Sequence, residues 1–243
     1  MTRNFLHCCA TLAVHGVVSS CFLVLNILAF VYGHIAKYFG SKVNIDRKRE
    51  VVVITGCDSG FGDLTSRQLQ QMGFHVVAVC VTPEGVQRLT DVVSLPILAD
   101  VTKDSDIENL SVRVGEYLLQ HEVKLWGLVC NAGIGNAGAF DWISSETFRR
   151  VIEVNFFGVV NVTKALLPFL KKNKNSRIVN LSSVAGFLSA PMMSAYDASK
   201  HAVEGYAKAL RAEMKAWNIH VSNVNPGFMR FYEVITCYCL FMR

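Results

Sequence analysis

An α/β fold with a doubly wound parallel sheet is what this sequence predicts, and three observations predict it. From residue 51 onward, short β-branched apolar runs alternate with stretches of helical composition. The first run leads straight into a glycine-rich turn. A serine, a tyrosine and a lysine recur downstream, close to the ends of later elements.

The strand candidates are 51–55, 75–81, 95–99, 125–130, 176–182 and 219–224. Val51-Val52-Val53-Ile54 is apolar without alternation, which suits a strand covered on both faces. Asp63 to Met72 has helical composition. Glu146 to Leu167 reads as one long helix that ends at Pro168, and Tyr196 to Trp217 has helical periodicity with no glycine after Gly205. About 190 residues follow position 50, enough for one domain with a full core.

Between the first strand and first helix lies Thr55-Gly56-Cys57-Asp58-Ser59-Gly60-Phe61-Gly62. Gly56, Gly60 and Gly62 carry no Cβ, so the backbone here is free to turn sharply and to approach a pyrophosphate at the helix N-terminus. Strand, tight turn and helix in that order make the turn a dinucleotide cradle rather than an ordinary connection.

Tyr196 and Lys200 stand four residues apart on one helix face. A phenol with a reference pKa of roughly 10 is a poor acid-base catalyst at neutrality, and a neighbouring ammonium lowers that value. Taken alone, this spacing is usually a solvated face. Ser183, thirteen residues before Tyr196, closes the apolar run Arg177 to Ser182 and so falls on the sheet edge where open α/β folds bind ligands.

With these residues in place, the chain resembles the short-chain dehydrogenase/reductase family over roughly residues 51–230. The family's T-G-x-x-x-G-x-G is Thr55 to Gly62, its adenine-side aspartate is Asp100, and its N-A-G is Asn131-Ala132-Gly133. Its structural asparagine is Asn155, its serine, tyrosine and lysine are Ser183, Tyr196 and Lys200, and its P-G turn is Pro226-Gly227. The cradle Cys57-Asp58-Ser59-Gly60-Phe61-Gly62 further resembles the branch holding retinol dehydrogenases, 17β-hydroxysteroid dehydrogenases and 3-hydroxybutyrate dehydrogenase.

The resemblance implies a Rossmann sheet, a nicotinamide cofactor and hydride transfer to or from an alcohol or carbonyl carbon. It gives Tyr196 the proton transfer, Lys200 the tuning of Tyr196 and the nicotinamide ribose, and Ser183 the developing oxyanion. Asn155 would fix a helix distortion and a water, Asp100 would meet the adenine, and Asn131 would brace the central strands. An aspartate at a strand end otherwise commonly caps a helix, a part that Asp104 is also placed to play. The second strand ends in neither the carboxylate that holds a ribose 2′-hydroxyl nor an arginine for a 2′-phosphate, so Asp58, a fixed negative charge in the cradle, favours NAD over NADP.

The N-terminus carries a separate signal. Ala10 to Gly33 is 24 residues with no charged side chain other than His15, and about 20 apolar residues cross a bilayer. Residues 1–50 read as a membrane anchor and charged linker, with a net charge of +4 out of the chain's +5. The basic excess is thus juxtamembrane, which removes the main argument for nucleic-acid binding. Five of its six cations follow the apolar span, placing the catalytic domain on the cytosolic side of a membrane, expected to be that of the endoplasmic reticulum. The eight cysteines show no metal-ligand spacing and suit free thiols in a reducing compartment.

Membrane attachment fits a lipophilic alcohol substrate of the retinoid or hydroxysteroid class, with 3-hydroxybutyrate the polar alternative. The long helices Glu146 to Leu167 and Tyr196 to Trp217 are the candidates for pairing two copies. Residues 231–243 read as an atypical tail where the family has a substrate lid and a further strand. The competing expectation is therefore a shortened form that binds cofactor without turnover.

Overall fold

The computed structural model of the chain describes residues 45–227. The expected span at Ala10 to Gly33 and the tail at 231–243 lie outside the described residues.

Six parallel strands form one sheet in the order β3-β2-β1-β4-β5-β6. They are β1 (Glu50–Thr55), β2 (His75–Cys80), β3 (Leu95–Leu98), β4 (Lys124–Cys130), β5 (Arg177–Leu181) and β6 (His220–Val224). Between them run α1 (Gly60–Gln71), α2 (Pro83–Leu89), α3 (Asp104–Gln120), α4 (Ser145–Ile152), α5 (Gly158–Leu170) and α6 (Ser194–Met214). This is the doubly wound arrangement the alternating pattern predicts. From β1 the chain builds outward through β2 to β3, then returns to lay β4 on the other side of β1. The order reverses there, and the two strand ends diverge into a crevice.

Two apolar layers sandwich the sheet. On one side Val53, Val77, Leu128 and Ile178 pack with Leu110 of α3, Leu166 of α5 and Val203 of α6. On the other, Ile54, Val76 and Val129 pack with Leu69 of α1 and Leu89 of α2. Adjacent residues of β1 belong to opposite layers, which is why its sequence is apolar at every position rather than at every second one. At the lower rim Phe74 stacks on Trp126 with ring centroids 5.5 Å apart.

The long helix departs from the sequence reading in two ways. It does not end at Pro168: α5 continues to Leu170, because Leu166 and Leu170 are both fully buried and their packing carries the last turn past the proline. Nor is it uniform, since Glu153–Phe157 winds as a π-helical turn between α4 and α5. Ser145–Leu170 is also, among the described residues, the one helix long and apolar enough to cross a membrane. Its apolar side, with Val159, Val162, Leu166 and Leu170, is part of the core under the sheet.

Candidate functional site

The crevice at the carboxyl ends of β1 and β4 opens into a cleft of about 840 Å³. Gly56, Asp58, Ser59, Gly60 and Phe61 line it from the first turn, Asp100 from the end of β3, and Asn131, Ala132 and Gly133 from the end of β4. Thr55, Gly62 and Asn155 lie behind this surface. Ser183, Tyr196, Lys200, Pro226 and Gly227 do not line the cleft and gather beyond its Leu181 end.

The cradle is held by side chains on its own two strands. Asn131 donates through Nδ2 to the carbonyls of Thr55 and Gly56, each at 2.9 Å, while Thr55 Oγ1 accepts the amides of Asn131 and Ala132 at 3.1 Å. This lattice leaves no room for larger residues. Gly56 has φ +70°, and a Cβ there would sit 2.7 Å from Ala132 Cα. A Cβ on Gly62 would lie 2.1 Å from the Gly56 carbonyl oxygen and 2.6 Å from Asn131 Nδ2. Beneath the turn, burial first, with the nearby Cys80 adding to it, pushes the Cys57 thiol well above its ordinary value, so the floor of the cradle stays neutral. Helix α1 begins at Gly60, with its open amides facing the turn. Close backbone approach, a helix N-terminus and a neutral floor are what a dinucleotide pyrophosphate requires, and these residues fit one.

Asp58 reaches out of the cradle to the tip of β2. Its carboxylate accepts from the Val81 amide at 2.9 Å and from the Thr82 amide and hydroxyl at 2.9 and 2.7 Å. The sequence of β2 lacks an acidic residue at its end, and folding delivers one from the first turn instead. Folding also delivers an arginine: Arg88 of α2 donates to the Asp58 carbonyl, a contact that composition at the end of β2 did not reveal.

Across the cleft, burial pushes the Asp100 carboxyl up. Hydrogen bonds from the Thr102 amide and hydroxyl, aided by the Lys103 and Arg150 cations, outweigh that and hold it below its usual range. Asp100 therefore makes a local turn. Asp104 does not cap α3 either: it is the first residue of the helix, and Lys103 holds the cap position. The far wall carries Glu146, Arg149, Arg150 and Glu153 from α4 and the π turn, residues not singled out from sequence. Their i, i+3, i+4, i+7 spacing marks one face, but only the fold shows that this face meets the cleft.

Beyond Leu181 the remaining candidates assemble. Lys200 is only 4% exposed, its Nζ donates to the Leu181 carbonyl at 2.8 Å, and it lies 5.5 Å from the centre of the Tyr196 ring. Burial pushes this ammonium down to about 8 from 10.5. A Cβ on Gly133 would be 3.7 Å from Nζ, so Lys200 stands directly behind the cleft wall. Ser183 Oγ accepts the Ala185 amide at 3.1 Å and reaches the Pro226 carbonyl at 3.5 Å, tying the end of β5 to the Pro226-Gly227 turn after β6.

Asn155 is fully buried in the π turn. Its Oδ1 accepts the Ile134 amide at 2.8 Å, and its Nδ2 donates to the Ile134 carbonyl at 2.9 Å and to Ser199 Oγ at 3.0 Å. Ser199 passed unnoticed in the sequence, since a serine between an alanine and a lysine gives no signal of its own.

Two loops rise above this end of the sheet and are joined where the Gly138 amide donates to the Met192 carbonyl at 2.8 Å. They carry Phe140, Trp142, Phe187, Leu188 and Met192, all exposed. Asp197, buried at the start of α6, accepts the Ala190 amide at 2.8 Å and anchors the second loop.

Residues 50–233 match the family model described as short chain dehydrogenase. Among curated proteins, the human "Dehydrogenase/reductase SDR family member 9" is 42% identical over 183 residues, which cover 74% of this chain and 56% of that protein. The mouse protein named Retinol dehydrogenase 5 is 40% identical over 187 residues, covering 74% and 56%. Bovine 17-beta-hydroxysteroid dehydrogenase type 6 is 37% identical over 213 residues, covering 86% and 66%. The chain thus spans a little over half the length of the first two relatives. Among solved structures, a short chain dehydrogenase/reductase of Burkholderia phymatum in complex with NAD aligns with a TM-score of 0.70 at 28% identity, covering 76% of this chain and 68% of that one. The 3-ketoacyl-(acyl-carrier-protein) reductase of Brucella melitensis complexed with NADH aligns at 0.69 and 30% identity, covering 75% and 77%.

Proposed function

The chain belongs to the short-chain dehydrogenase family, and from that premise we propose that it is a membrane-anchored, NAD-dependent oxidoreductase acting on a lipophilic alcohol or carbonyl of the retinoid or hydroxysteroid class. The observation that carries this reading is the buried Lys200 ammonium behind the cleft wall, 5.5 Å from the Tyr196 ring. A charge withdrawn from water at that place has a use if negative charge develops on the neighbouring phenol oxygen.

Gly56, Asp58, Ser59, Gly60, Phe61 and Gly62 would hold the cofactor's phosphates and adenosine ribose, Asp100 its adenine, and Asn131, Ala132 and Gly133 its nicotinamide side. A bound nicotinamide supplies hydride exchange with the substrate carbon. In alcohol oxidation, Tyr196 takes the hydroxyl proton as the carbon–oxygen double bond forms, and in the reverse direction it returns the proton. Lys200 stabilises the phenolate that takes the proton in oxidation and is left once the proton is given up in reduction, and its ammonium would hold the nicotinamide ribose hydroxyls. Ser183 donates to the substrate oxygen as charge develops there. Asn155 keeps the π turn open beside Ile134, and the Pro226-Gly227 turn backs Ser183.

NAD is favoured because the Asp58 carboxylate occupies the tip of β2, where a ribose 2′-hydroxyl is accepted and a 2′-phosphate repelled. The substrate class is supported by the names of the curated relatives and by the exposed aromatic rim of Phe140, Trp142 and Phe187. The proposed organisation is an anchor and linker at residues 1–50, a catalytic domain at 51–230 facing the cytosol, and a tail at 231–243. Membranes from cells producing the 243-residue chain test the reading when supplied with all-trans-retinol or a 17β-hydroxysteroid and either NAD or NADP. NAD-dependent product formation is expected. NAD binding without turnover of any of these alcohols would replace the reading with cofactor binding alone.

A further inference from the structure

We propose that Ser199 is a positioning residue that locks the Tyr196 turn of α6 to the wall of the cofactor cleft. The proposal rests on Tyr196 as the proton-transfer group.

A serine inside a helix commonly donates to a carbonyl one turn back, and Ser199 Oγ does so, to Tyr196 O at 2.6 Å. That bond alone would be local. The hydroxyl has a second partner from a different element, since it accepts Asn155 Nδ2 from the π turn at 3.0 Å. One hydroxyl with one donor and one accepting lone pair in use thus joins two helices, at a position with no solvent exposure at all.

Asn155 extends the chain. Its other bonds both go to Ile134, one to the amide and one to the carbonyl, and Ile134 lines the cleft next to Gly133. The path Ile134, Asn155, Ser199, Tyr196 therefore runs from the cleft wall to the backbone of the proposed acid through direct hydrogen bonds. Lys200, the next residue, stands against Gly133 on the same wall. A roll of this first part of α6 would carry Tyr196 and Lys200 away from the wall together. The Lys200 ammonium on the Leu181 carbonyl and Asp197 on the Ala190 amide hold this turn to β5 and its loop, and the Ser199 hydroxyl is what ties it to Asn155 against the roll. A polar network closed on itself in a dry interior holds one geometry firmly, because a shifted arrangement would strand a buried donor.

The test uses the full chain with Ser199→Ala, Ser199→Cys, Asn155→Ala and the Ser199→Ala/Asn155→Ala double variant. In Ser199→Ala, kcat falls about 10- to 100-fold while the KM for NAD holds, as expected when a reacting group is slightly misplaced. The double variant is no slower than Asn155→Ala alone, because both changes cut the same path. Amide hydrogen exchange supplies a readout apart from turnover: Ser199→Ala speeds exchange at Ile134, whose hydrogen-bonded link to Ser199 runs through Asn155. Ser199→Cys, close in size, shows the same exchange change if Ser199→Ala fails to fold. Unchanged exchange at Ile134, or losses in kcat that add in the double variant, would show that Ser199 serves its own helix only. Tyr196→Phe separates the two levels. Turnover surviving that change overturns the catalytic reading, whereas its loss together with a silent Ser199→Ala overturns the Ser199 role alone.

Discussion

Asp58 and Thr82 are joined twice, by the Thr82 amide at 2.9 Å and the Thr82 hydroxyl at 2.7 Å, both donating to Asp58 Oδ1. Thr82 also caps α2 by accepting the Gly85 amide at 3.0 Å. One threonine thus fixes both the start of a helix and the carboxylate of the preceding turn. Asp58→Ala is expected to lower kcat/KM for NAD about tenfold, the size of one lost hydrogen bond to a charged group, and to raise relative use of NADP. Paired kinetics with the two cofactors measure both effects. An NAD preference untouched by the change would remove Asp58 from cofactor selection.

Tyr196→Phe removes the proposed proton donor while keeping the ring. Turnover should drop about 10²- to 10⁴-fold, the usual contribution of a positioned acid-base group, with NAD affinity retained. Stopped-flow binding and steady-state rates on one preparation separate the two.

Lys200 gives stability a pH dependence of known sign. Its folded value of about 8 lies below the unfolded 10.5, so between those values the unfolded chain holds the proton that the folded chain has released. Stability contributed through this group should therefore rise with pH from about 8 to 10.5, and below pH 8 the cost of burying the charge is fully present. Urea titrations at pH 7.5 and 10, compared with Lys200→Met, should differ by an amount on the order of a few kcal/mol. A slope that persists in Lys200→Met would assign it elsewhere.

Two glycines should respond in opposite directions to alanine. A Cβ on Gly62 would lie 2.1 Å from the Gly56 carbonyl oxygen, and Gly62→Ala should destabilise the fold by about 3 kcal/mol or more. Gly205 lies within α6, exposed and with nothing near its missing Cβ. There, alanine should stabilise by about 0.5–1 kcal/mol through helix propensity. Thermal denaturation of both variants reads the contrast.

The strands were legible because a central parallel strand buries both faces, so Val51 to Ile54 announces itself by composition. The cradle was legible because its glycines follow that run. What the sequence concealed depends on contacts across the sheet. Asp58 and Arg88 are thirty positions apart, and nothing local says that the arginine folds back onto the aspartate's carbonyl. The π turn is one residue's worth of slippage in a long apolar helix, which periodicity does not register; Asn155 stood out only through a motif. Pro168 misled for a related reason, since a proline's local penalty is visible in sequence and the burial of Leu166 and Leu170 that outweighs it is not.

Asn131 spans β4 and the first turn with bonds that no ligand needs to complete. The shape of the glycine turn is therefore set when the protein folds, and an arriving dinucleotide would meet a finished cradle for its phosphates. Association should accordingly follow a single exponential whose rate rises linearly with cofactor concentration, with no slow unimolecular phase before capture.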